Sequence, residues 1–385
     1  MKILHLCLGS FYPDNYSYQE NMLPKFHKKL GYEVEVIASL VTFDENGNGT
    51  YSTNIGSYYN EYGIKVTRLD YKKPTFLYHK FKRYKKTYET INSANPDIIF
   101  IHGCQFLDTS EVIKYLKKHP NVVTYVDNHV DFSNSARNWL SRNILHKIIW
   151  KRCAQNLNLY VKKFYGVLPA RVDFMTDIYK LPKEKVELLV MGADDDKIIE
   201  AEKENSREKL RKKYNIDDND FLIITGGKID KFKTQTLLLM QAVKNIKDKK
   251  VKLIIFGSVI PELKEKINNL CDGIKIQYIG WIQSEESYKY LSAADLVVFP
   301  GRHSVFWEQV AGMGIPMLCK RWDGTTHIDI GGNVIFLEYD SIKEMQDKVE
   351  YLIKNPDKYK DMLNAAKGKG KEKFSYKEIA KRAIK

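Results

Sequence analysis

The stretch that decides the fold of this chain runs from Phe221 to Thr234 and reads FLIITGGKIDKFKT. It begins with an apolar run of strand length and continues with two glycines and a lysine. A second lysine, Lys233, then stands at the start of a helix-like segment. A buried strand, a glycine turn and a helix in succession predict one unit of a parallel α/β sheet.

Strands and helices alternate in both directions from this stretch. The alternation starts with a strand at Lys2–Leu8 and a helix at Gln19–Leu30, and a long loop is predicted over Ser39–Gly63. At 385 residues, the chain is too long for one ordinary core. We therefore expect an α/β protein with two Rossmann-like, doubly wound parallel sheets, whose strand ends face a common cleft.

The boundary between the two domains is predicted from a change of pattern near Met191-Gly192-Ala193-Asp194, after which a charged, glycine-free segment begins. The first domain is expected at residues 1–192 and the second at residues 193–372. The remaining residues, 373–385, are predicted to form a C-terminal helix that packs back on the first domain.

Composition points to an acidic partner, since 62 lysines and arginines face 48 acidic residues and the formal net charge is +14. No zinc-finger, basic-zipper or RNA-recognition signature is present, so we expect no nucleic acid. The five cysteines are scattered without metal-ligand spacing, and the N-terminus has no cleavable signal pattern. We expect a cytoplasmic protein that works on a phosphate-rich substrate, peripherally at the inner face of the cell membrane.

Glycines follow several predicted strands of the second half. Gly227-Lys228 and Lys233 could clamp a diphosphate, because glycines admit a phosphate to the backbone and a helix N-terminus offers free N–H groups. Gly257-Ser258 and Gly280-Trp281 repeat the arrangement after two further strands. The alternative is a set of ordinary tight turns with solvated lysines.

Polar residues also follow the strand that ends at Pro300. Glu308 and Gln309 could accept hydrogen bonds from sugar hydroxyls, or Glu308 could merely complement a helix dipole. His303 and Ser304 fit either a ligand site or a turn with an N-cap. In the first half, the strand-end residues with the same two interpretations are Gly9, Ser10, His102, Asn128 and His129.

Taken together, these residues resemble family 4 of the retaining glycosyltransferases, of the bacterial capsular and cell-surface polysaccharide type, which have the GT-B fold. Gly227-Lys228 and Lys233-Thr234 stand where the family has Gly-Arg and Lys-Gly, and His129 looks like its strand-ending histidine. The acidic motif departs from the family pattern. Gln309 stands at the expected second glutamate and Ser304 at the first.

The resemblance implies transfer of a sugar, with retention, from a nucleotide-diphosphate sugar to a glycan acceptor that is lipid-linked. The donor is a co-substrate, and neither a metal nor another cofactor is expected. The first domain would bind the acceptor, through His102 and Asn128, and the second would bind the donor. The implied catalytic residues are His129, Lys228, Lys233 and Glu308, and the implied donor-binding residues are Gly9, Ser10, Gly227, Gly257, Ser258, Trp281, Ile282, His303, Ser304, Val305 and Gln309.

Two segments mix aromatic and basic residues. They are Tyr78–Lys86, in a helix predicted over Phe76–Ser93, and Arg137–Arg152, in a helix predicted over about Ser135–Gln155. Such helices are typical of contact with an anionic membrane surface, although a solvated helix face over core aromatics has the same composition. Two other functions remain open. The chain could be a sugar-nucleotide epimerase of the same fold, or a non-catalytic nucleotide-sugar-binding protein.

Overall fold

A computed structural model describes residues 1–43, 49–231 and 233–385. They form two compact units, one of Met1–Val190 together with Ile379–Lys385 and one of Met191–Glu378. Each unit is built on its own mainly parallel sheet. None of the helices in the described part of the chain has the length and apolar character that crossing a bilayer requires.

The first unit contains an eight-stranded sheet in the order β10-β9-β8-β7-β1-β2-β6-β5, in which only the β5–β6 pair is antiparallel. At its centre, β7 is buried along its whole length, and β1 and β8 are buried except at their first residue, as expected where helices cover both faces. The strands are Lys2–Cys7 (β1), Glu33–Ala38 (β2), Val41–Phe43 (β3), Gly49–Tyr51 (β4), Gly56–Tyr59 (β5), Lys65–Arg68 (β6), Ile98–His102 (β7), Val123–Asn128 (β8), Lys163–Gly166 (β9) and Val186–Leu188 (β10).

The prediction of one long loop over Ser39–Gly63 is wrong in part. β3 and β4 pair as an antiparallel hairpin, and β5 joins the edge of the main sheet. Residues 44–48 of the predicted loop lie outside the described residues. β4 is exposed along its whole length, and every second residue of β5 is exposed, which suits strands at an edge.

The helices of the first unit are Gln19–Lys29 (α1), Phe76–Phe81 (α2), Thr87–Ala94 (α3), Thr109–Lys118 (α4), Lys151–Asn158 (α5) and Pro169–Asp177 (α6), with a π-helix at Ser141–Trp150 that runs directly into α5. The helix predicted over Phe76–Ser93 is therefore two helices. Lys82 and Lys86 between them have positive φ angles of 54° and 58°. The break lets Lys82 turn inward and Tyr84 become fully buried.

The second unit has a six-stranded parallel sheet in the order β13-β12-β11-β14-β15-β16. Its strands are Phe221–Gly226 (β11), Val251–Phe256 (β12), Ile276–Tyr278 (β13), Leu296–Phe299 (β14), Met317–Lys320 (β15) and Val334–Leu337 (β16). Its helices are Asp195–Lys203 (α7), Ser206–Lys213 (α8), Gln235–Asn245 (α9), Pro261–Leu270 (α10), Ser287–Ser292 (α11), Phe306–Met313 (α12), Ile342–Lys354 (α13), Pro356–Ala365 (α14) and Lys371–Lys373 (α15). Tyr376–Ala383 (α16) contributes its residues from Ile379 onward to the first unit.

Both sheets reverse strand order once, and glycines stand at the carboxyl ends around that point. In the first sheet, a Cβ on Gly9 would lie 2.2 Å from the carbonyl oxygen of Gly103. In the second, a Cβ on Gly257 would lie 1.9 Å from the carbonyl oxygen of Gly227. Such backbone contacts leave no room for side chains. Open α/β sheets bind ligands at these reversal points.

The Gly257 contact yields a prediction with a matched control. Gly257 and Gly273 both have positive φ angles, of 125° and 73°, but a Cβ on Gly273 would meet nothing within 4 Å. Gly273→Ala should lower the free energy of unfolding by about 1–2 kcal/mol through backbone strain alone. Gly257→Ala should cost at least about 3 kcal/mol, because the new Cβ must also push the Gly227 backbone away. Urea unfolding followed by circular dichroism measures both, and equal losses would contradict the prediction.

Candidate functional site

The turn between β11 and α9 brings two lysines together at the strand edge of the second unit. Lys228 is exposed, whereas Lys233 is half-buried, and its stem faces Gly301 at the end of β14. Burial lowers the pKa of Lys233, and the charge of Lys228 lowers it further, while Asp230 opposes the shift. Two ammonium groups that repel each other beside a glycine turn form a place where an anion is stabilising.

Glu308, on α12, is fully buried beside this edge. Its Oε1 accepts a hydrogen bond from Nε2 of His303 and another from Nε2 of His327, each at 2.8 Å. Burial on its own would raise the pKa of the carboxyl group, but the two histidines outweigh it and hold the pKa at about 2. Glu308 is therefore a fixed anion that keeps a proton on Nε2 of both rings.

The remaining residues predicted around this edge have different surroundings. Gln309 donates its amide N–H to the Ser287 hydroxyl at 2.8 Å and is nearly buried, so it is tied to α11. The carbonyl of Ser304 accepts the first turn bond of α12, from the Trp307 N–H at 3.0 Å. Val305 immediately precedes α12, Ile282 is half-buried, and both Ser258 and Trp281 are exposed.

In the first unit, the carboxyl ends of β1, β7 and β8 carry the predicted residues. The carbonyl oxygen of Gly9 accepts a hydrogen bond from the ammonium group of Lys82, whose pKa burial lowers to about 8. The Ser10 hydroxyl has no partner among the described residues. Asn128 is buried, and its side chain bonds to Gln105 at 3.0 Å and to the Val130 carbonyl at 2.9 Å.

Asp127, at the end of β8, lies beneath His129 and was not predicted from the sequence. It is fully buried, and its Oδ2 lies 2.8 Å from Nδ1 of His102 and 3.3 Å from Nε2 of His129. Burial raises its pKa, but the two histidines more than reverse that effect, and the net shift is downward. His129 has a raised pKa, because Glu20 and Asp127 outweigh the effect of burial.

His102 belongs to a row of three buried rings that crosses the sheet. Its Nε2 lies 3.0 Å from Nδ1 of His5, and Nε2 of His5 lies 3.0 Å from Nδ1 of His27. Nε2 of His27 lies 2.9 Å from the carbonyl oxygen of Ala380 in α16. Both ring nitrogens of His102 are thus engaged inside the unit, so it supports the strand edge from beneath.

The row ends on two acceptors, the carbonyl of Ala380 and the carboxylate of Asp127. Burial keeps the pKa of His27 at about 4 and that of His5 well below its usual value. Both of these rings are therefore neutral at pH 7.

Two clusters have ligand types and spacing that a cation could bridge, namely His102, Asp127 and His129, and His303, Glu308 and His327. In both, a carboxylate oxygen already lies within 2.8 Å of a histidine nitrogen, so hydrogen bonds account for the geometry. The absence of a metal from the reaction therefore stays a prediction.

The comparisons with known proteins agree with this architecture. Residues 206–369 match the family model of the glycosyl transferases group 1. That segment lies within the second unit and includes both lysines of the β11–α9 turn and all of α12. No curated protein matches the sequence.

Solved structures resemble the chain over nearly its full length. A glycosyltransferase from Rickettsia africae is 16% identical, with a TM-score of 0.68 and coverage of 99% of this chain and 96% of that one. HepE from Anabaena in complex with UDP is 14% identical (TM-score 0.67, coverage 99% and 98%). A UDP-GlcNAc 2-epimerase from Neisseria meningitidis is 13% identical (TM-score 0.64, coverage 99% and 98%). The predicted fold class, two Rossmann-like domains of the GT-B type, is confirmed.

The histidine row predicts how the stability of the first unit depends on pH. The folded-state pKa of His27 is about 4, against roughly 6.5 in an unfolded chain. Below pH 6.5, His5 and His27 therefore bind protons in the unfolded chain but stay unprotonated in the folded chain. The free energy of unfolding falls as pH drops towards about 4. The slope should be about 1.4 kcal/mol per pH unit for each histidine.

Urea unfolding at several pH values measures this slope, and His27→Gln is the informative variant. The glutamine amide can still donate to Ala380 and accept from His5, but it cannot titrate. The slope should decrease by about one proton. An unchanged slope in the variant would show that the row does not carry the pH dependence.

Glu308 gives a prediction for the second unit. A folded-state pKa of about 2, against about 4.3 unfolded, contributes about 3 kcal/mol at neutral pH, and this contribution disappears as pH falls from about 4.3 to about 2. Glu308→Gln should lose about that amount in thermal or urea unfolding. Glu265→Gln, the same change at an exposed position of α10, should be nearly neutral. Equal effects of the two variants would contradict the assignment.

Proposed function

We propose that this protein is a glycosyltransferase that uses a nucleotide-diphosphate sugar as its donor. The observation that carries the proposal is the β11–α9 turn, where Lys228 and half-buried Lys233 meet at a glycine edge. The match to the glycosyl transferases group 1 includes this turn. The structural likeness to HepE in complex with UDP supports a uridine nucleotide as the first donor to test.

In this proposal, the two lysines bind the donor diphosphate. As the bond between the sugar carbon and the diphosphate oxygen breaks, negative charge collects on the leaving group, and two nearby ammonium groups stabilise it. The acceptor oxygen forms the new glycosidic bond, and its proton passes to the departing diphosphate oxygen. In this proposal, His303, whose Nε2 donates a hydrogen bond to Glu308, contacts the donor.

The finer points extend the proposal. We infer that the first unit binds the acceptor, with His129 as its reactive edge residue, because Asp127 and Glu20 favour the charged imidazole. Transfer proceeds with retention and without a metal in this proposal. The acceptor is a lipid-linked glycan of cell-surface polysaccharide synthesis, handled at the cytoplasmic side of a membrane.

A second candidate is a sugar-nucleotide epimerase. The specific observation in its favour is the likeness to the UDP-GlcNAc 2-epimerase of Neisseria meningitidis, with a TM-score of 0.64. An epimerase would invert the sugar with no added acceptor, whereas a transferase changes the donor only when an acceptor or water takes the sugar. Incubation with UDP-GlcNAc alone, followed by product analysis, distinguishes the two.

The proposal predicts that UDP or a UDP-sugar raises the melting temperature and that Lys233→Ala abolishes the shift. Loss of one charged contact to the diphosphate weakens binding roughly ten- to hundredfold, corresponding to about 1.5–3 kcal/mol. Lys231→Ala is the matched control, because Lys231 is an exposed lysine of the same turn. Its variant should keep the wild-type shift.

The panel also contains GDP, dTDP, CMP, ADP and their sugar conjugates. A preference for a nucleotide base other than uracil can then be detected. An equal loss of the melting-temperature shift in Lys231→Ala and Lys233→Ala would show that the shift depends on general positive charge and not on Lys233. No stabilisation by any nucleotide would contradict the transferase proposal. Stabilisation without turnover on any acceptor would favour a binding protein.

A further inference from the structure

A second candidate binding site lies on the helical surface of the first unit. A cavity of about 710 Å³ opens between α4 on one side and the π-helix with α5 on the other. Its lining contains none of the strand-end residues described above. It is therefore separate from the edge that carries Gly9 and His129.

All the charged side chains around this cavity are basic. Arg83, Lys114, Lys117 and Arg152 line it, and no acidic residue does. No carboxylate in the described part of the chain pairs with Arg83, Lys117 or Arg152, and Lys114 has only Glu111 at 3.9 Å. We call this cavity the basic groove, defined by these four cations.

Arg83 and Arg152 approach the same wall of the basic groove. Burial raises the pKa of the Cys153 thiol, while the charges of Arg83 and Arg152 both act to lower it. Their charges therefore converge on one place, although the two residues are far apart in the sequence. Two guanidinium groups on one cavity favour an anion there, and arginine is the side chain that pairs most readily with phosphate.

The other half of the lining is aliphatic. Leu107, Ile113 and Ile149 extend the hydrophobic core outward to form part of the lining. Ile148 and Leu159 also belong to the lining and are 56% and 77% exposed. Inorganic phosphate would gain nothing from this aliphatic surface, whereas an amphiphile would bury it.

We propose that the basic groove binds an anionic phospholipid of a membrane surface, with the phosphate at Arg83 and Arg152 and the acyl chains against Ile148 and Leu159. The proposal goes beyond sugar transfer, because it gives the first unit a membrane-docking site that needs no donor. Each of the two basic segments predicted from the sequence contributes one arginine to the groove, Arg83 from the first and Arg152 from the second. Tyr78–Lys86 is broken by the inward turn at Lys82, and of Arg137–Arg152 only the C-terminal part reaches the groove.

Co-sedimentation of the full chain with vesicles tests the proposal. Phosphatidylcholine vesicles that contain phosphatidylglycerol should bind the protein, and pure phosphatidylcholine vesicles should bind it much less. The double variant Arg83→Gln with Arg152→Gln should partition about 30-fold more weakly. The control, Lys249→Gln with Lys250→Gln, removes two charges from an exposed loop of the second unit and should bind like the wild type.

Two further arms separate a lipid site from a phosphate site. Ile148→Ser with Leu159→Ser leaves the charge unchanged and should also weaken vesicle binding, whereas inorganic phosphate at matched ionic strength should not compete. Effective competition by phosphate, or equal losses in the groove and control charge variants, would overturn the proposal. Failure of the wild type to bind anionic vesicles would overturn it as well.

The melting-temperature shift with UDP, measured on every variant, keeps this test separate from the proposed function. A groove variant that keeps the wild-type melting temperature is folded, so its loss of vesicle binding belongs to the groove. If vesicle binding follows the predictions but no nucleotide stabilises the protein, the groove stands and the transferase proposal fails.

Discussion

The close approach of two backbones at the carboxyl end of each sheet is the constraint on which both candidate sites depend. Gly9 lies against Gly103 in the first unit, and Gly227 lies against Gly257 in the second. Any side chain at Gly9 or Gly257 would separate neighbouring strand ends. The contacts thus hold neighbouring strand ends together at the edge where open α/β sheets bind ligands.

Each unit places an ionised carboxylate beneath its strand edge and surrounds it with two histidines. Asp127 lies against His102 and His129, and Glu308 bonds to His303 and His327. Burying a carboxylate is costly unless hydrogen bonds and charge compensate it. Here, the compensation also fixes which ring nitrogen carries a proton. One ring of each pair is deeply buried and the other lies closer to the surface, so a buried anion sets the chemistry of a more accessible imidazole.

The sequence predicted the fold well because buried parallel strands and strand-end glycines are local patterns. It did not show which polar residues meet, since long-range contacts decide that. The periodicity of Phe76–Ser93 is helical, but the buried ammonium of Lys82 bonds to Gly9, far away in the sequence, and breaks the helix. His5 and His27 look like isolated core residues. Two histidines at predicted strand ends, His102 and His129, did not identify Asp127 as their common partner. Only the folded sheet brings the three side chains together.

In the two proposals, the surplus positive charge of the chain binds two kinds of anion. At the β11–α9 turn, Lys228 and Lys233 stand beside glycines, whose backbone a small, multiply charged ligand can approach. In the basic groove, arginines stand beside exposed Ile148 and Leu159, so charge and apolar area lie together. Salt screens the attraction between charges and leaves the free energy gained by burying apolar area largely unchanged. Lipid binding should therefore survive at an ionic strength that weakens a purely electrostatic contact, and this difference, more than net charge, distinguishes the two surfaces.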